Sequence, residues 1–112
     1  MDFRDLDALH AAHDLAIEIH DVSQSFPGDN QFTLGESICT TALEIPASLA
    51  EGCGRGSDED MHNAIVQAKG LAQRLEYLIL LAGQLGMIDE ETLGDMTELL
   101  DALKSQLEKA PG

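Results

Sequence analysis

Apolar residues recur along this chain at steps of three and four, the spacing that gathers side chains on one side of an α-helix. They do so in four separate stretches. The first runs from about Phe3 to Ser25, with Ala8, Ala12, Leu15, Ile19, Val22 and Phe26 in one row and Asp7, Asp14, Glu18 and Asp21 turned to water. A second, weaker row passes through Leu6, Leu9, His13, Ala16 and His20. Phe26-Pro27-Gly28-Asp29-Asn30 has turn composition and predicts the end of that helix. The second stretch, roughly Phe32 to Glu51, carries Leu34, Ile38, Ala42, Ile45 and Leu49, with Pro46 in its interior. Proline removes one backbone hydrogen bond and crowds the turn before it, so a kink is expected between Ala42 and Pro46. Gly52-Cys53-Gly54-Arg55-Gly56 is expected to stop this helix and make a tight connection.

The third stretch opens with Ser57 and Asp60 spaced as in a capping box, and with Glu59 in the first turn, where the helix dipole favours acids. Its core row is Met61, Ala64, Ile65, Ala68, Leu71, Ala72, Leu75, Ile79 and Ala82, and Gly86 is placed to cap its end. The fourth begins near Asp89, with Glu90 and Glu91 in its first turn, and has a seam of Leu93, Met96, Leu100, Leu103 and Leu107. Lys104 and Lys109 near its C-terminus complement the dipole. No alternating strand pattern competes. Short connections favour antiparallel neighbours, so residues 1–112 are expected to form one all-α domain, an up-down-up-down four-helix bundle with a proline kink in its second helix.

Some of this apolar surface is surplus. The first stretch has two rows, and Tyr77-Leu78-Ile79-Leu80-Leu81-Ala82 is apolar on nearly every side. A bundle that stays alone needs only one buried stripe per helix. Contact between copies of the chain is therefore expected, with Leu6, Leu9, His13, His20, Leu80 and Leu81 as the contact candidates.

Charge sharpens the picture of partners. The chain has 21 acids against 6 Lys and Arg, a formal net charge of −15. Residues 1–60 hold 13 acids against Arg4 and Arg55, and the rest 8 acids against four bases. Such a field repels phosphate backbones and anionic lipid. It serves solubility, as in a salty cytoplasm, or offers an acidic face to a basic protein partner. Nothing approaches the roughly 18 apolar residues of a membrane span, and MDFRDLDALH lacks the basic and apolar regions of a signal peptide, so a cytoplasmic protein is expected. Cys39 and Cys53 stand about four turns apart, too far for a disulfide along one helix, and free buried thiols are expected.

Candidate chemistry is sparse. Gly52-x-Gly54-x-Gly56 precedes a helix but has neither the strand of a dinucleotide fingerprint nor the Gly-Lys-Ser/Thr of a P-loop, so it reads as an inter-helix turn. Glu59-x-x-His62 is half of a di-iron bundle motif and Asp7-x-x-His10 a weaker echo, but Glu59 falls in the first turn of its helix, far from mid-bundle, where its dipole role accounts for it, and no metal or other cofactor is expected. His13 and His20, seven apart, are expected to be partly buried, hydrogen-bonded structural residues rather than a metal pair or a pH-sensitive contact. Cys53 has no base and orienter in sequence reach, so no catalytic residue is assigned. Arg55, in a chain with few cations, is expected to pair with Glu51 or with a neighbouring subunit.

The stretch Ile45-Pro46-Ala47-Ser48-Leu49-Ala50-Glu51-Gly52-Cys53-Gly54-Arg55 resembles the S-I-P-A-N-I-A-E-G-x-G-R motif of the four helix bundle protein family, first met in intervening sequences of bacterial large-subunit ribosomal RNA genes. Phe3-Arg4-Asp5-Leu6 with Ala12-His13-Asp14-Leu15 is similar to its opening F-x-x-L…A-H-E-L, Phe26-Pro27 to its first turn, Ala68-Lys69-Gly70 to its mid-helix A-x-G, and Leu85-Gly86 to the end of its third helix. The resemblance implies a left-handed bundle, often in a homopentameric ring, and marks Pro46, Glu51, Gly52, Gly54, Arg55 and Gly70 as motif residues. One branch includes the accessory variability determinant of diversity-generating retroelements, a basic ring that binds nucleic acid and a reverse transcriptase. This chain departs from that branch. Cys39 and Thr40 stand where relatives carry paired arginines, Leu9 replaces an aromatic, and Asp58 and Glu59 replace basic residues. The expected function is a non-enzymatic, homo-oligomeric scaffold or interaction protein. A nucleic-acid accessory role and a metal-binding bundle are the alternatives.

Overall fold

Several helix boundaries follow from a local signal. In a computed structural model, residues 2–28 and 31–110 are described, apart from the side chains of Gln31 and Phe32. A short 3₁₀ turn, Phe3–Asp5, is capped by the Asp2 side chain and leads into helix α1, Asp7–Ser23. A wide π-type turn at Gln31–Gly35 leads into helix α2, Glu36–Arg55. Asp29 and Asn30 of the expected turn lie outside the described residues. Ser57 starts helix α3, Asp58–Gln84, by accepting from the Asp60 N–H at 3.0 Å while its own hydroxyl donates to the Asp60 carboxylate at 2.7 Å. Helix α3 ends in a Schellman turn: Met87 N–H donates to the Ala82 carbonyl, and Gly86, at φ 78°, takes the left-handed conformation that glycine adopts without strain. Asp89 caps helix α4, Glu90–Lys109, by accepting from the Thr92 N–H at 2.8 Å.

The four helices form an all-α bundle with no strand among the described residues. Each packs against its sequence neighbour, and α1 also packs against α4, which closes the square. The seams expected from periodicity fill the centre. Leu15, Ile19, Ile38, Ile45, Leu49, Leu75, Met96, Leu100, Leu103 and Leu107 are the largest fully buried side chains. Phe26 is the one buried aromatic among the described residues, so the core is aliphatic and depends on the fit of branched side chains.

Three expectations are corrected. Helix α2 does not stop at Gly52 but runs on to Arg55, and the left-handed break falls at Gly56 alone, at φ 83°. Gly52 stays helical because a Cβ there would lie 2.4 Å from the Ala64 Cβ, so its lack of a side chain is what lets α2 and α3 touch. The second row on α1 is not a separate surface. Leu6 and Ala16 are buried in the chain's own core and Leu9 packs against it, whereas His13 and His20, expected to be partly buried, are exposed because they fall on the outer side of that row. Lys104 does more than complement a dipole: its ammonium lies 2.5 Å from Glu76 of α3 and 3.3 Å from the Gln73 amide oxygen.

That cross-helix tie carries a pH signature. The Lys104 hydrogen bond holds the Glu76 carboxyl below its ordinary value of 4.5, with smaller help from Gln73 and partial burial opposing both. A carboxyl depressed by folding adds stability that is complete above its unfolded value and is lost as pH falls through the folded one. Lys104→Met is therefore expected to leave a smaller gap in melting temperature between neutral pH and pH values below 4.5. Thermal melts of both proteins across that range read the difference.

Candidate interaction surface

The α2–α3 corner gathers most of the motif residues. Pro46 lies half-buried inside α2, and Gly52 is pressed against Ala64. At the next position the buried Cys53 thiol lies 3.6 Å from the Met61 sulfur. Arg55 forms its ion pair with Glu51, one turn back on the same exposed face. A shallow groove of about 220 Å³ runs beside them, lined by Ser48, Glu51, Arg55, Asn63 and Gln67 among others. Gly54 is exposed and helical, and Gly70 sits in the middle of α3 with nothing within 4 Å of where its Cβ would be.

Little of this corner is reactive. The Glu51 carboxylate, as hydrogen-bond acceptor and as a charge, holds the Arg55 guanidinium even more firmly protonated than usual. Burial pushes the Cys53 thiol up, away from the thiolate that a nucleophile needs. Both cysteines are free thiols, but Cys39 is half-buried rather than buried. Gly52 and Gly54 lie inside α2, where backbone N–H groups serve the helix's own ladder and do not form a phosphate-binding loop. Among the described residues no three His, Cys, Asp or Glu side chains converge as a metal site, and the His10 ring is engaged, donating from Nε2 to the Arg4 carbonyl oxygen at 2.5 Å.

The chemistry that remains is that of the outer faces. Ile17, Leu43, Val66, Tyr77, Leu80 and Leu85 are each 51–61% exposed in the single chain. Three of them belong to α3, where Val66, Gly70, Gln73, Tyr77 and Leu80 alternate at steps of four and three on the side opposite the core row. Leu81, expected at the surface with Leu80, is half-buried. Arg74 makes no ion pair with another described residue and lines a groove of about 380 Å³ with Glu36, Thr40 and Glu44 of α2.

The motif around this corner and the four-helix architecture recur together in a known group of proteins. The chain matches the 23S rRNA-intervening sequence protein family over residues 4–109. It belongs to that family. The match takes in all four helices, so the likeness is one of the whole bundle and not of the Pro46–Arg55 stretch alone. No curated protein is similar enough to the chain to match it. The family name records where such chains are encoded, and it assigns no reaction.

Proposed function

We propose that this member of the intervening sequence protein family is a non-enzymatic scaffold that works as an assembly of its own copies in the cytoplasm. The observation that carries the reading is the outer row of α3. Val66, Tyr77 and Leu80 lie more than half exposed on the side of the helix that the core does not use. Isolated apolar residues are ordinary at protein surfaces, but a row of them along one helix face is what interfaces present. A homopentameric ring, implied by the sequence resemblance, accommodates such rows. In it the helices run up, down, up and down with a left-handed twist, and α2 bends at Pro46. Short connections such as Gly56–Ser57 between α2 and α3 support that topology.

Acid on the remaining faces suits a basic protein partner. A chain with a formal charge of −15 gathers far more negative charge still when copies assemble, and a cationic surface would be drawn to it. Sedimentation velocity tests the reading. Low-micromolar protein is expected to travel as a multiple of 12.0 kDa, five copies for the ring. A boundary at 12.0 kDa alone would remove the scaffold. Gel retardation with RNA at low ionic strength tests the competing role, because tight, salt-sensitive retention would return the protein to nucleic acid.

A further inference from the structure

The charge on α3 differs from that of the rest of the molecule. Residues 61–88 contain Lys69 and Arg74 against Glu76 alone, a net of +1, so the remaining residues hold −16. Glu76 is tied to Lys104 of α4, which takes the one acid of that stretch into an internal pair. Lys69 and Arg74 stand on either flank of the row Val66, Gly70, Gln73, Tyr77 and Leu80, at about 100° of turn per residue. Lys69 pairs with Glu108 of α4 at 3.4 Å, so the outside of α3 is an apolar row with that exposed pair on one flank and Arg74, which makes no ion pair with another described residue, on the other.

A second row has the opposite character. On the outer side of α2, Leu43, Ala47, Ala50 and Gly54 recur at steps of four, three and four. Leu43, Ala47 and Gly54 are exposed, and Ala50 is half-buried. The charges nearby on α2 are Glu36, Glu44 and Glu51, the last paired with Arg55, and the adjoining α1 carries Asp14 and Asp21 on either side of exposed Ile17. Here the row is small-sided and edged by acids. On α3 it is large-sided, with Arg74 as the unpaired charge at its rim. Rows at alternating three and four steps interdigitate as knobs into holes.

We infer that the outer row of α3 on one copy docks on the outer row of α2 on the next, with Tyr77, Leu80 and Val66 seated against Leu43, Ala47, Ala50 and Gly54. The inference rests on the self-assembly reading and specifies its contact. Three observations support a second copy as occupant. The rows match in size, large against small. Their rims differ in charge, with Arg74 on α3 and Glu36, Glu44 and the acids of α1 beside the α2 row, and Arg74, which shares a groove with Glu36 and Glu44 of its own chain, makes no ion pair there. The outline is of the right order: a full side of a body 43 Å long and 19–23 Å across spans roughly 800–1000 Å², near what each partner of a stable interface covers. Gly70 fits the same contact. It lies mid-helix at a disadvantage of about 1 kcal/mol relative to alanine, no side chain of its own protomer approaches it, and a close neighbour from outside would need the space. Because the two rows differ, the contact is heterologous, and every copy offers one of each.

Two variants and their mixture test this. Leu43→Glu spoils the α2 row and leaves the α3 row intact; a Tyr77→Glu/Leu80→Glu double variant does the reverse. All three positions are more than half exposed, so both proteins should keep wild-type helicity by circular dichroism. Each alone is expected to run as a 12.0 kDa monomer, and an equimolar mixture as a one-to-one dimer of twice that mass, joined through the one pair of intact rows. Wild-type protein that is itself monomeric defeats the self-assembly reading. If the wild type assembles, an unchanged Leu43→Glu assembly overturns the inference alone, since α3 would then pair with α3 or another surface. Two monomeric variants that never join also overturn it and point to a different occupant of the α3 row.

Discussion

Leu75→Ala is expected to remove about 3 kcal/mol of stability, within the range for truncating a fully buried leucine. Leu75 is 0% exposed and stands mid-way along the inward row of α3, among Leu71, Ala72 and Ile79. The loss has two parts, the transfer of the deleted carbons and the cavity they leave. The described core contains one aromatic, Phe26, so no large flat side chain can swing into the gap. Against a total of roughly 5–15 kcal/mol for a domain this size, that is a large fraction. Urea unfolding should show a lower midpoint with an unchanged slope. The comparison belongs in the monomeric Tyr77→Glu/Leu80→Glu background, because assembly would otherwise add concentration-dependent stability to both proteins.

Glycines in helices should split by environment. At Gly52 the added methyl of alanine would meet the Ala64 Cβ at 2.4 Å, so α2 and α3 would have to separate at their closest approach. Overpacking of this kind costs about 1–3 kcal/mol and outweighs the gain of up to about 1 kcal/mol from alanine's better helix propensity. Gly52→Ala is therefore expected to lower the melting temperature. Gly70→Ala meets no atom within 4 Å and should raise it in a monomeric background, by a free energy of about 1 kcal/mol. In the wild-type background Gly70→Ala should also weaken assembly, which sedimentation at decreasing concentration would reveal. Equal effects at the two positions would mean that the α2–α3 contact is looser than its geometry implies.

The difference between these glycines was not legible in the chain. Gly52, Gly54 and Gly56 look alike as a run and read together as a break. Only the packing of Ala64 shows that the first belongs inside a helix, and only the left-handed turn at Gly56 shows where the helix ends. The four helices themselves were legible, because steps of three and four are a direct image of the buried side. Ser57, Asp89 and Gly86 also act at the boundaries where their chemistry placed them. Periodicity marks the centre of a buried stripe better than its width. A stripe more than about 100° wide takes in its shoulders, so Leu6, Leu9 and Ala16 joined the core of α1 instead of forming a second face. The Glu76–Lys104 pair spans 28 positions and depends on how α3 meets α4, which no local pattern encodes.

What survives of the surplus apolar surface is concentrated on α3, and the protein carries its own probe there. Tyr77 is the one tyrosine, tryptophan is absent, and the ring is 60% exposed in a single protomer. Quenching of its emission by acrylamide reports directly on whether that face is covered. At low-micromolar concentration Tyr77 is expected to be shielded, and to become freely quenched on dilution or in the Leu43→Glu variant. Emission quenched in the wild type as readily as in a short tyrosine peptide, at every concentration, would contradict the claim that a second copy covers the face.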